Sequence, residues 1–155
     1  MKIKLIALFA FMAVLFTLES CSSESEEYDS ITNSETGSNE SHNVGQNCMN
    51  CHKPGGGEAP VWTVAGTVYN EALTATNSNA LVKLYTGPDG TGTLKYAIQV
   101  DSKGNFYTSG AIDFTGGLYP SVVGATSTKY MSSPITNGAC NSCHTGIQTA
   151  RVWTN

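Results

Sequence analysis

The pattern of apolar and polar positions divides the chain into three stretches. Residues 5–16 are an unbroken apolar run behind Lys2 and Lys4. Its length and positive flank fit the core of a signal peptide and are short for a membrane span. Residues 22–41 are rich in Ser, Asn, Glu and Thr, with six acidic residues and no Lys or Arg. Such a segment buries too little apolar surface to offset its ordering entropy, so it predicts a disordered tether. Beyond it, strand-like runs alternate with turn residues at 61–69, 80–85, 93–100, 105–108 and 118–123. Gly87-Pro88-Asp89-Gly90 and Asp101-Ser102-Lys103-Gly104 are turn signals between them. Pro120 suggests an edge strand or a bulge for its run. No helix-period stripe of useful length appears.

These stretches predict a signal peptide over 1–20, a tether over 21–42 and one mainly β domain over 43–155, with its core at about 60–130. The net charge is −4 and no basic patch is present, which disfavours nucleic-acid binding.

The chemistry is concentrated in cysteine. Cys48-Met49-Asn50-Cys51-His52 and Cys140-Asn141-Ser142-Cys143-His144 both read C-x-x-C-H. Four of the five Cys and two of the three His lie in these motifs. The motifs resemble the attachment signature of c-type cytochromes. The resemblance implies two covalently attached haem c groups, with thioethers from Cys48 and Cys51 to the first and from Cys140 and Cys143 to the second. His52 and His144 are then the proximal iron ligands. Helical turns are expected at the motifs themselves. Lys53-Pro54-Gly55-Gly56-Gly57 offers backbone able to approach a flat cofactor closely. His42 is the one spare His and a candidate distal ligand, with a solvated linker His as the plainer reading. Met131 is the candidate distal ligand for the second haem, with core filler as its plainer reading. Val61-Trp62 and Val152-Trp153 fit haem cover, and sandwich core slightly better.

Leu18-Glu19-Ser20-Cys21 resembles a bacterial lipobox, with Glu19 departing from its strictest form. It implies lipidation of Cys21 and attachment to a membrane through acyl chains. Cys21-Ser22-Ser23-Glu24-Ser25-Glu26-Glu27 resembles the surface-export signal of Bacteroidota lipoproteins. The implied location is the outer membrane of a Gram-negative envelope, in the periplasmic or the cell-surface leaflet.

Between the motifs, Val64-Ala65-Gly66-Thr67-Val68, Ala80-Leu81-Val82-Lys83-Leu84-Tyr85, Asp101-Ser102-Lys103-Gly104-Asn105-Phe106-Tyr107 and Gly117-Leu118-Tyr119 resemble the carboxypeptidase regulatory-like module over about 62–124. That resemblance implies a single Ig/transthyretin-like β-sandwich and brings no catalytic residues.

The expected function is therefore one-electron transfer with other redox proteins of the envelope, by an electron carrier and not an enzyme. Two other readings of the Cys pairs remain: a Zn²⁺ site of four thiolates, and local disulfide clips on a non-redox binding module. The sequence leaves open whether the two motifs emerge on the same side of the sandwich.

Overall fold

The computed structural model describes residues 29–30, 34 and 41–155. The expected signal peptide and Cys21 lie outside them. The chain forms strands β1 (Asp29–Ser30), β2 (Val64–Thr67), β3 (Leu81–Tyr85), β4 (Leu94–Gln99), β5 (Asn105–Thr108), β6 (Tyr119–Val123), β7 (Thr128–Tyr130) and β8 (Gly138–Ala139), followed by the single-turn helix α1 (Cys140–Cys143). Five strands pair in the order β1-β4-β3-β6-β7, and three in the order β5-β2-β8. The molecule is a mainly β, two-sheet sandwich.

The core lies between the sheets. Val82, Leu84, Tyr96, Ile98, Leu118 and Val122 face it from the larger sheet, and Val64, Val68 and Phe106 from the smaller. Period-two alternation puts Val82 and Leu84 inside while their neighbours on β3 are only half-buried. Each such side chain contributes about 1.5–3 kcal/mol on full burial.

The turn at 101–104 is built by Asp101, whose Oδ1 accepts from the N–H groups of Lys103 and Asn105, both at 2.9 Å. Gly104 sits at φ +85°, and a Cβ there would lie 2.3 Å from the Thr76 Cβ. Only glycine meets both demands.

The strands depart from the sequence pattern in three places. The run at 61–69 is a strand only over Val64–Thr67. β7 and β8 are too short to leave a pattern, and each is held by its neighbour rather than by its own composition. Pro120 is not on an edge strand, because β6 lies between β3 and β7. Its carbonyl accepts from Met131 on the β7 side. In an antiparallel strand a residue's N–H and C=O point the same way, so the missing N–H also faces that side, beyond the last β7 pair. No ladder bond to β3 is lost.

Parts of the expected tether lie on the sandwich. Asp29–Ser30 pairs in parallel with Tyr96–Ala97. Ser34 Oγ donates to the Tyr107 carbonyl at 2.9 Å and accepts from its N–H at 2.7 Å. Ser41 is buried and accepts from Asn105 Nδ2 at 2.8 Å.

Candidate functional site: two Cys-His turns on opposite faces of one sheet

Both motifs fold into one helical turn, 3₁₀ over Cys48–Asn50 and α over Cys140–Cys143. The turns close alike. The His52 N–H donates to the Cys48 carbonyl at 2.9 Å, and the His144 N–H to that of Cys140 at 3.0 Å. In each motif the first Cys is half-buried and the second exposed. One turn thus presents two thiols and an imidazole in the same order at both sites.

The imidazoles are oriented in the same way. His52 Nδ1 lies 2.7 Å from the Pro60 carbonyl, and His144 Nδ1 lies 2.6 Å from the Ala150 carbonyl. A carbonyl only accepts, so Nδ1 carries a hydrogen at both sites, and in the neutral ring the lone pair is on Nε2. Reading the motifs alone missed these carbonyls. The signal was present: Val61-Trp62-Thr63 and Val152-Trp153-Thr154 follow the two motifs at nearly equal distance. The first triplet leads into β2. The second lies along Tyr69, just beyond β2, with Tyr69 N–H donating to Val152 and Thr154 N–H to Tyr69.

The motifs meet at β2. Asn141, inside the second motif and 3% exposed, donates from Nδ2 to the Gln46 carbonyl at 2.9 Å and to Thr67 Oγ1 at 3.1 Å. Its Oδ1 accepts from the Thr67 N–H at 3.2 Å. Thr67 Oγ1 also accepts from the Gly45 N–H and donates to Asn105 Oδ1. One donor and two acceptors exhaust the hydroxyl. On the other face of β2, a Cβ on Gly66 would lie 2.5 Å from Phe106 and 3.0 Å from the Cys140 Cβ. Burial pushes the Cys140 thiol up to about 12, and the nearby Cys48 sulfur adds to the rise. Burial also raises the Cys48 thiol.

Each motif lines its own cavity, and the three-stranded sheet separates them. On β5, alternation sends Asn105 and Tyr107 to the first cavity and Phe106 to the second. The first cavity, about 430 Å³, is lined by Cys48, Cys51, His52, His42 and Trp62 as well. The His42 and His52 rings stand 5.9 Å apart, His52 stacks on Trp62 at 5.0 Å, and Trp62 meets Tyr107 at 4.7 Å. The second cavity, about 620 Å³, has Val82, Leu84 and Val122 in its floor. Cys140, Cys143, His144, Met131 and Trp153 complete its wall. Both volumes fall within the range of small-molecule sites, about 300–1,000 Å³.

Two expectations are refined. Trp62 and Trp153 are half-buried in cavity walls and are not part of the sandwich core. The glycine loop after the first motif folds onto that motif, since a Cβ on Gly56 would lie 1.9 Å from the Cys51 carbonyl oxygen. Among the described residues, no three His, Cys, Asp or Glu side chains gather around one point as metal ligands. Compared with protein-family models, with curated proteins and with solved structures, the chain finds no match.

Proposed function

We propose that this chain is a dihaem c-type cytochrome that carries single electrons at the cell envelope. The observation that carries the reading is the matched pair of histidines. Each has Nδ1 clasped by a backbone carbonyl and Nε2 left as a ligand, beside two thiols on one helical turn. A partner on the second ring nitrogen is what orients a metal-ligating His and raises its basicity. Structural cysteines need neither the His nor the clasp.

In this reading Cys48 and Cys51 hold one haem by thioethers and His52 Nε2 is its proximal ligand. Cys140, Cys143 and His144 do the same for the other. Haem c supplies an iron that cycles between ferric and ferrous by one electron. The chain's residues attach, ligate and shield. Trp62 and Tyr107 wall the first group, and Trp153 with the core aliphatics walls the second. His42 and Met131 line the two cavities and are the distal candidates. The chain itself forms and breaks no substrate bond, so the reading is a carrier and not an enzyme. Export, lipidation at Cys21 and envelope redox partners rest on the leader and lipobox sequence.

The test is a pyridine haemochrome spectrum with intact mass, on protein made alongside c-type maturation machinery. Two covalent haems per chain are expected, with one lost in Cys51→Ser and the other in Cys143→Ser. A chain without haem, lighter by two hydrogens per Cys pair, would instead be a disulfide-clipped binding module.

A further inference from the structure

The two cavities have opposite chemistry. Among the described residues the wall of the first contains no Lys, Arg, Asp or Glu side chain, and His42 stands there beside His52. The wall of the second contains Lys129 and Arg151, no Asp or Glu, and a floor of core aliphatics. Strand register explains the placement. Lys129 pairs with Val122, a core residue, so its side chain leaves β7 on the core side. Met131, two residues on, follows the same side. Lys129 Nζ is held 4.0 Å from the centre of the Trp153 ring, and the Arg151 guanidinium 4.6 Å from that of Tyr69. The first contact fixes the Lys129 charge against Trp153, itself a wall residue, whereas Tyr69 lies outside that wall with its hydroxyl toward Gly45 on the first motif's side.

Each feature acts with the same sign on a redox group. An oxidised iron centre carries one more positive charge than a reduced one. Fixed cations beside it oppose that extra charge. An apolar floor penalises it by desolvation. A thioether ligand raises the potential relative to a second imidazole. The lining of the second cavity combines a cation, an aliphatic floor and the thioether of Met131; among the described residues that of the first has no thioether and no aliphatic floor, and a cation, Lys103, meets it at the Ser41 carbonyl.

Resting on the dihaem reading above, we infer that the second cavity is the higher-potential site. Lys129 and Met131 hold the electron of a singly reduced molecule at the Cys140–His144 motif. The first site, bounded by His42, is the one that gives its electron up.

Spectroelectrochemical titration of the haem-loaded full chain tests this. Two resolved waves are expected. The upper wave shifts down in Lys129→Gln and Met131→Leu and is unmoved in His42→Ala, which moves only the lower. Lys129→Gln alone carries the test should Met131→Leu fail to fold. Coincident waves, or an upper wave that follows His42 and ignores Lys129, overturn the inference while the dihaem reading stands. Absence of haem, read from the haemochrome before any titration, fails that reading and this one with it.

Discussion

Asn141 donates its side-chain amide to the backbone carbonyl of Gln46 at 2.9 Å, across 95 residues of sequence. The bond joins the interior of one Cys-His motif to the approach of the other. With the two bonds to Thr67 it forms a buried network in which every amide hydrogen used has an acceptor. Fully satisfied buried networks are costly to break.

Asn141→Ala is therefore expected to destabilise the fold by about 1–3 kcal/mol, because the Thr67 N–H loses its acceptor in a buried setting. A lower urea midpoint with an unchanged denaturant slope is the result to look for. An unchanged midpoint means the two motifs are held together by something other than this network.

Gly66→Ala probes the opposite face of the same strand. The added methyl would meet Phe106 at 2.5 Å and Cys140 at 3.0 Å. Overpacking of this kind costs about 1–3 kcal/mol. A drop in melting temperature checks it, and a neutral result would show that the Phe106 ring moves aside freely.

Thiol reactivity should separate the two positions of each motif in chain made without maturation machinery. The nucleophile is the thiolate, and burial raises Cys140 to about 12 and Cys48 in the same direction. Mass mapping after brief alkylation at mildly alkaline pH should find Cys51 and Cys143 modified first. Uniform labelling of all four contradicts the burial.

The same shift ties stability to pH. Cys140 has a folded-state pKa above its ordinary 9.0, so the folded chain holds that proton longer than the unfolded chain does. Its contribution is fully present below pH 9.0 and is lost as pH climbs through about 12. Denaturation midpoints of the unloaded chain should fall over that window, and Cys140→Ala should flatten the fall.

What the sequence by itself determined is local. The C-x-x-C-H spacing, the helical turns at both motifs, the Asp101–Gly104 turn and most strands of the sandwich depend on residues a few positions apart, and the chain carries them in its own pattern. The tertiary structure decided what depends on distant partners. β8 is a strand because β2 lies beside it. The x position held by Asn141 reads as a spacer until Gln46 and Thr67 come within reach. Met131 and Lys129 share a cavity with His144 because β7 pairs with β6 in one register, and a shift of one residue would turn both away. The two motifs lie back to back because β2 bonds to both segments. No local pattern encodes that, since pairing across long chain separations is selected by the packing of the whole sandwich.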